Sequence, residues 1–301
     1  MQQINRKISI GIPTYEANLS LVSTVNSILN QTCYKNISQI LIVVDGNKIS
    51  RSVKSKLTDK KIKVVYSKKR GGQSARINDI FNLLDTAQII LTNDDIILDK
   101  DALKIIIKKY KKIDLIAGNV KPLDKLNFLE QILGAGQQIQ SAIARDWNKG
   151  DNYLSCNGRF LVLSKNFYKK ISVPEKIWNN DAYIYILSQK LNFKFTFAED
   201  VRINYKSPSN LREHLSQSIK FQKSEKDLQR YFKENIDSYY KIPLSVKTKA
   251  LIFTIIKSPI LTLSYLAIFS ATRLKNYFMD SSLWTNSYWQ TDLSTKRLRG
   301  I

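Results

Sequence analysis

Short runs of apolar residues alternate with stretches of helical spacing along the first part of the chain. The apolar runs predict strands at residues 7–12, 39–44, 62–66, 87–91 and 115–120. Between them, apolar residues three and four positions apart predict helices at 19–29, 75–84 and 102–110. Continuously apolar strands that alternate with helices are typical of an α/β fold with a Rossmann-like, mostly parallel sheet flanked by helices.

The later part of the chain mixes long helical stretches with two further strands. Residues 126–147 are amphipathic, and residues 155–165 predict a turn that leads into a strand. A helix is expected at 181–191 and a strand at 193–198, after which the chain is helical and strongly charged to about residue 240. We expect one domain at residues 1–225 and a helical C-terminal region at 226–301.

An apolar segment at residues 250–272 sets the C-terminal region apart. Only Lys257 interrupts it with a charge, and Pro259 follows two residues later. A spanning helix needs about 20 apolar residues, so the segment is barely long enough, and its lysine and proline argue against one straight span. A kinked hairpin or a helix lying in the interface fits as well. A buried core helix is the alternative, but the basic flanks favour an anionic membrane surface.

Composition narrows the possible partners and the possible chemistry. The chain has 48 basic and 25 acidic residues, a formal net charge of +23, which predicts nucleic acid, acidic lipid or a phosphorylated substrate as partner. The single histidine, His214, argues against Ser-His-Asp catalysis and a histidine-bound metal. The amino terminus lacks the apolar core of a signal peptide. We therefore expect a protein on the cytoplasmic side of the cell membrane.

Polar residues follow three of the predicted strands. Asp45 ends one strand, Gly71-Gly72 follows another with Arg76 one turn into the next helix, and Asn93-x-Asp95 follows a third. Taken singly, these residues are typical of a turn, a loop and a helix cap. Ligands of open α/β sheets bind at the carboxyl ends of strands, so three such features in one sheet indicate a ligand site.

The order of these motifs resembles that of family 2 glycosyltransferases with the GT-A fold. The resemblance rests on ISIGIPTYEAN, LIVVDGN, GGQSARIN, LTNDDIIL, CNGRFLVLSK, WNNDAYIYIL and QSIKF, in the order and approximate spacing of the family. It covers roughly residues 7 to 225 and is closest to membrane-associated members that build or modify polysaccharides. Each motif is weak by itself, but seven in sequence are specific.

The resemblance implies a role for each matching position. Asp181 would be the catalytic base, and a divalent cation, Mg²⁺ or Mn²⁺, would be held by Asn93 and Asp95. The nucleotide would be bound by Pro13, Tyr15, Glu16, Asp45, Gly72 and Arg76. The acceptor would be bound by Gly158, Arg159, Gln217, Lys220 and Phe221. The donor would be a nucleotide sugar, with UDP-sugar expected, and the acceptor a glycan or a lipid-linked glycan.

The chain departs from the family pattern at four positions. Asn93 replaces the first aspartate of the metal motif, although an amide oxygen can still ligate a cation. Asn180 replaces the first acid of an acidic pair, which leaves Asp181 as the only carboxylate there. A single base suits direct displacement with inversion at the anomeric carbon. Lys220 and Phe221 replace the arginine and tryptophan of the processive synthases, which puts processive synthesis in doubt.

Three other interpretations remain open at this level. A sugar-phosphate nucleotidyltransferase would carry a glycine-rich basic loop near the amino terminus, where this chain reads IPTYEAN. A nucleic-acid-binding protein would show aromatic residues interleaved with basic ones or a known module, and neither is seen. A catalytically degenerate family member acting as a partner subunit is consistent with Asn93 and Asn180. We expect no nucleic-acid partner.

Overall fold

The computed structural model describes residues 7–15, 17–46, 48–123, 127–206 and 211–278, and only the backbone of residues 212, 215–223 and 275–278. The strands are β1 Ile8–Thr14, β2 Ile37–Val44, β3 Ile62–Tyr66, β4 Gln88–Thr92, β5 Ile96–Leu98, β6 Leu115–Pro122, β7 Phe160–Ser164 and β8 Phe195–Tyr205. The helices are α1 Leu19–Leu29, α2 Arg51–Lys54, α3 Gly72–Leu83, α4 Ala102–Lys109, α5 Phe128–Asp146, α6 Lys165–Tyr168, α7 Asn180–Lys190, α8 Leu211–Phe232, α9 Leu244–Lys257 and α10 Pro259–Phe278.

The strands form one mixed sheet in the order β3-β2-β1-β4-β7-β6-β8-β5. The first four strands in this order run parallel. Strand β7 is antiparallel to both β4 and β6, β8 is parallel to β6, and β5 is antiparallel to β8. The predicted α/β fold is confirmed, with most parallel pairs in the first half of the chain. The carboxyl ends of β1, β2 and β4 therefore lie at the same edge.

Two hydrophobic layers cover the faces of this sheet. Alternate residues of β2 belong to different layers: Ile42 lies in the layer that includes residues of α1 and α4, and Val43 in the layer that includes residues of α3 and α7. Side chains of a strand point alternately to opposite faces, which explains why a strand covered on both sides is apolar at nearly every position. Each layer also holds one buried free thiol, Cys33 in the first and Cys156 in the second.

Some predicted boundaries differ from the observed ones because pairing partners decide where strands end. We expected Pro13 to close the first strand, but β1 continues through Pro13 and Thr14. Strand β4 pairs with β1 only from Ile8 to Gly11, so β1 lacks a β4 partner at the proline. The short strand β5 and the four-residue helix α2 were not predicted, since neither is long enough to show a period.

The apolar segment at 250–272 is divided between α9 and α10, which are separated at Ser258. Both helices pack against α5. The approach to α10 is close, because a Cβ on Gly136 of α5 would lie 2.6 Å from a ring carbon of Tyr265. Within the described residues, none of the helices has the length and apolar character needed to cross a bilayer. Residue 225, the predicted domain boundary, lies inside α8, and the division into two domains stays a prediction.

Candidate active site

The carboxyl ends of the parallel strands gather the polar residues that the sequence singled out. Tyr15 follows β1, Asp45 follows β2 and Asn93 follows β4. The side-chain amide Nε2 of Gln73, in the first turn of α3, donates to Oδ1 of Asn93 at 3.2 Å. The start of α3 and the end of β4 are thereby joined across this edge of the sheet, and the edge forms one continuous polar site.

Asp45 organises the glycine turn at the start of α3. Its buried carboxylate accepts from the backbone N–H of Gly71 at 2.8 Å and of Gly72 at 3.0 Å. Gly72 has φ of +78°, a left-handed conformation that favours glycine. Both carboxylate oxygens are thus engaged by the turn, and the role of Asp45 as a nucleoside contact stays a prediction. In the structure its side chain holds the Gly71-Gly72 turn in place.

Arg76 lies beneath this turn, and part of its guanidinium makes no hydrogen bond to the described residues. Its Nε is 3.6 Å from Oδ1 of Asp45 and 3.2 Å from Oδ2 of Asp79, and the side chain is buried. Its Nη1 has no hydrogen-bond partner among the residues that the structure describes. A buried, unsatisfied guanidinium N–H is costly and suits an anionic ligand. Nearby, the guanidinium of Arg70 lies 4.1 Å from the ring centroid of Tyr15, which holds that ring at the mouth of the site.

The Asn93-Asp94-Asp95 segment fits a divalent cation through one residue in particular. Asp94 is buried and accepts a hydrogen bond from the hydroxyl of Thr14, so it braces β4 against β1. Asp95 is also buried, and its Oδ1 has no partner among the described residues. A buried carboxylate oxygen without a donor is suited to a metal ion. The described residues contain no group of three or more His, Cys, Asp or Glu side chains that could hold a metal ion, so a cation at Asp95 would need further oxygen ligands.

Asp181 lies in the first turn of α7. Helix α7 begins there because the side chain of Asn179 accepts from the backbone N–H of Ala182 at 3.0 Å. Burial raises the pKa of Asp181 to about 6, while the backbone N–H of Gly158 and the charge of Arg159 act in the opposite direction. A carboxylate with a pKa in this range is still ionised at neutral pH and can accept a proton.

Gly158 is required for this placement of Asp181. A Cβ at position 158 would lie 2.6 Å from Cγ and 2.8 Å from Oδ2 of Asp181, closer than non-bonded carbon and oxygen atoms approach. The glycine thus lets its backbone N–H reach the carboxylate directly. The thiol of Cys156 lies near the same carboxylate, and burial raises its pKa, so it remains protonated.

Arg159 connects the surroundings of Asp181 to the end of β4. Its carbonyl accepts from the hydroxyl of Thr92, the last residue of β4, at 2.7 Å. Its guanidinium lies 4.1 Å from the ring centroid of Tyr205 at the end of β8. Its Nε is buried without a hydrogen-bond partner among the described residues. Asp181, Gly158 and Arg159 therefore belong to the same wall of the site as the segment that carries Asp95.

Some predicted site residues lie outside what the structure describes. Glu16 is not described, and only the backbone of Gln217, Lys220 and Phe221 is described, within α8. Pro13 is buried in β1. Four residues that shape the site were not predicted from the sequence: Thr14, Gln73, Asn179 and Tyr205. Of these, only Asn179 carries a local signal, because an asparagine just before a helix is typical of an N-cap.

Comparison with known proteins agrees with this geometry. No curated protein matches the chain. Among solved structures, the chain is similar to "Mannosyltransferase PcManGT from Pyrobaculum calidifontis in complex with GDP-Man and Mn2+", with a TM-score of 0.56 and 12% identity. The match covers 89% of this chain and 75% of that one, and at this identity it shows the fold alone. The sequence model described as "Glycosyl transferase family 2" matches residues 9–168, more than half of the chain. The chain therefore belongs to glycosyl transferase family 2, enzymes that transfer a sugar from a nucleotide sugar.

Proposed function

We propose that this enzyme transfers its sugar with inversion and that Asp181 is the catalytic base. The observation that carries the proposal is the carboxylate of Asp181, partly buried, with a raised pKa and fixed by the Gly158 N–H. The acceptor hydroxyl loses its proton to this carboxylate while its oxygen forms a bond to the anomeric carbon. The bond from that carbon to the diphosphate oxygen breaks, and the nucleoside diphosphate leaves with the electron pair.

The donor side is suited to a nucleoside diphosphate. The buried guanidinium of Arg76 offers an unused N–H, and the Gly71-Gly72 turn allows the backbone to come close to phosphate. Asn93 and Asp95 would hold Mg²⁺ or Mn²⁺, which when bound neutralises charge on the diphosphate. The similar mannosyltransferase structure contains GDP-Man and Mn²⁺ and supports a nucleotide sugar with a cation. We keep UDP-sugar as the first donor to test.

Replacing Asp181 tests the mechanism. Purified wild-type protein and Asp181→Asn are compared for release of nucleoside diphosphate and for sugar transfer, with a panel of UDP- and GDP-sugars and either Mg²⁺ or Mn²⁺. We expect a loss of 10²-fold or more, on the order of the contribution of a general base. Asp200→Asn is the matched control, because Asp200 pairs with Lys109 and Tyr110 away from the site. Equal turnover by Asp181→Asn and wild type would show that Asp181 is not the base.

The same experiment separates two alternative functions. A catalytically degenerate partner subunit predicts no transfer by the wild type with any donor. A sugar-phosphate nucleotidyltransferase predicts release of pyrophosphate from a nucleoside triphosphate and a sugar phosphate instead of release of nucleoside diphosphate. The raised pKa of Asp181 and the unsatisfied oxygen of Asp95 favour the transferase, because an inactive subunit has no need of either.

We further propose that α9 and α10 lie on the cytoplasmic side of the cell membrane. Their exposed side includes large apolar side chains, among which Ile256 is 78% and Ile260 is 72% exposed, while Ala250 and Thr254 are buried on the inner side. Single exposed apolar residues are ordinary, but several on adjacent turns suggest an interface. The other members of the exposed set are Leu244, Ile252, Phe253, Leu263 and Leu274. The positive net charge favours anionic lipid.

Vesicle flotation tests this surface. Wild-type protein is mixed with neutral vesicles of phosphatidylcholine alone, or with anionic vesicles that also contain about 30% phosphatidylglycerol. We expect flotation with the anionic vesicles and its loss in the double variant Ile256→Glu/Ile260→Glu. Leu83→Glu is the control, because Leu83 is exposed at the end of α3, away from the two helices. Unchanged flotation of the double variant would show that the membrane contact lies elsewhere on the protein.

For an enzyme that works at the membrane, the expected acceptor is a glycan or a lipid-linked glycan.

A further inference from the structure

A polar cleft of about 500 Å³ opens beside the carboxyl-terminal half of α7. It is bounded by the turn after α5, by Tyr185 and Gln189 of α7, and by a turn at residues 238–239. Asp181 precedes Gln189 by eight residues on the same helix, which corresponds to about 12 Å along its axis. The size lies within the range of small-ligand sites, and no residue assigned to sugar transfer lines the cleft.

The chemistry of the lining differs from that of the donor site. Three aromatic side chains, Trp147, Tyr185 and Tyr239, lie among amide, hydroxyl and carboxylate groups. Trp147 and Tyr185 are buried, so Tyr239 is the one of the three that is partly exposed. Among the described residues that line the cleft, Asp151 is the one charged side chain, although the chain as a whole carries +23. A lining carboxylate disfavours phosphate, nucleotide and anionic lipid, and the nearby Lys190, with its Nζ 5.9 Å from the ring centroid of Tyr239, is paired with Glu234. An aromatic face beside hydrogen-bonding groups instead suits an uncharged, polyhydroxylated ligand.

The hydrogen-bonding groups of the wall are held in position. The Oδ1 of Asp151 accepts from the hydroxyl of Tyr185 at 2.9 Å and from Nε2 of Gln189 at 3.5 Å. Nδ2 of Asn152 donates to the carbonyls of Ala144 at 2.7 Å and Trp147 at 2.6 Å. The bonds to Asp151 orient the polar groups of the wall, and those of Asn152 secure the turn behind them. A wall that is oriented before binding loses less entropy when a ligand arrives.

Backbone strain in the same turn supports a binding role. Asn148 has φ of +47° and Lys149 has φ of +54°, and Gly150 follows with φ of +87°. Two consecutive non-glycine residues in the left-handed region cost on the order of 1–2 kcal/mol each. Such strain persists where the surroundings fix the geometry, and it concentrates at ligand sites. Here the bonds made by Asn152 fix it.

We propose that this cleft is a second carbohydrate site, which binds a neutral sugar unit of a glycan away from the point of transfer. The sugar ring would lie against Tyr239, the partly exposed ring of the cleft, and its hydroxyls would donate to Asp151 and exchange hydrogen bonds with Gln189. Its assignment to the acceptor glycan rests on the proposed function, whereas binding itself does not require catalysis. The site would hold the acceptor chain at a position remote from the hydroxyl that reacts.

Direct binding measurements test the site independently of transfer. Saturation-transfer NMR and calorimetry are carried out with cellotriose, maltotriose, mannotriose and chitotriose, and with a trigalacturonate as the anionic comparison. We expect at least one neutral oligosaccharide to bind wild type, Asp181→Asn and Arg76→Ala equally, and the anionic one to bind none of them. Because these two variants change only the catalytic centre, failure of the proposed transfer mechanism would leave this binding intact.

Two variants of the cleft complete the test. Ser238→Trp, at an exposed position of the rim, fills the cleft and should abolish binding, with Ser55→Trp on the exposed end of α2 as control. Gln189→Ala removes one hydrogen-bonding group and should weaken binding about five- to tenfold. Binding that survives Ser238→Trp, binding that is lost in Arg76→Ala or Asp181→Asn, or no binding of any neutral oligosaccharide by the folded wild type would each overturn the proposal.

Discussion

Asp181 is subject to opposing influences that determine when it can act. Burial raises its pKa to about 6, and the N–H of Gly158 and the charge of Arg159 limit that rise. Since a general base must be ionised, kcat/KM should fall about tenfold for each pH unit below about 6 and level off above it. A pH profile with a saturating cation checks this. A profile that is flat between pH 5 and 7 would contradict it.

The same shift predicts that Asp181 reduces the stability of the fold. Its pKa rises from 3.8 in the unfolded chain to about 6 in the folded protein, so the native state binds the proton more tightly. Stability from this group is fully present below pH 3.8 and is lost as the pH rises through 6. At pH 7, Asp181→Asn should raise the free energy of unfolding by on the order of 1–2 kcal/mol, after discounting for partial exposure. Denaturant titration at pH 7 measures this, and a destabilised variant would contradict it.

Gly158→Ala should slow sugar transfer because it displaces the carboxylate of Asp181. The added Cβ would overlap the carboxyl group of Asp181, so one of them must move. A displacement of about 1 Å can reduce turnover by about 10²-fold. Nucleotide affinity, measured by calorimetry with UDP or GDP and Mn²⁺, should be unchanged because the proposed donor residues lie at the ends of β1 and β2 and in α3, whereas Gly158 precedes β7. A parallel loss of nucleotide affinity would indicate a general distortion.

At the scale of elements, the start of α3 depends on the end of β2. The two oxygens of Asp45 accept from Gly71 and Gly72, and Arg76 lies beside them. Asp45→Asn keeps one acceptor and places an amide donor against a backbone N–H, which should lower stability by about 1–3 kcal/mol. The nucleotide affinity should fall with it, since the turn would no longer be held. Thermal unfolding with and without nucleotide checks both effects.

Elements with a regular local pattern were predictable from the sequence, whereas strand ends that depend on distant pairing partners were not. Helix α1 and strand β3 were predicted with their observed bounds, because their periodicity is local. Strand β8 continues past Ala198 to Tyr205, where it pairs with β6 and β5, and nothing in its own sequence reports those partners. The same holds for the site. The residues at the strand ends were predicted from the sequence. The contact between Gly158 and Asp181 was not predicted, because it forms only when separate parts of the chain come together in the fold.

At the scale of the whole molecule, the net charge predicts how membrane association responds to salt. With +23 charges, attraction to anionic vesicles should be strong at low ionic strength. The Debye length falls from about 30 Å at 0.01 M to about 8 Å at 0.15 M salt, so vesicle affinity should drop steeply over this range. Flotation across a sodium chloride series measures it. A residual, salt-independent part is expected from the apolar side chains of α9 and α10, and its absence in wild type would argue against their insertion.

The two buried thiols offer an experimental advantage. Cys33 and Cys156 lie in separate hydrophobic layers, and burial raises the pKa of both. Protonated, enclosed thiols react slowly with alkylating reagents. A cysteine introduced on the surface would therefore take up a maleimide dye selectively, without any prior removal of native cysteines. An environment-sensitive fluorophore at position 256 would then brighten when it enters lipid, and the rate of docking could be followed in real time on the unaltered catalytic fold.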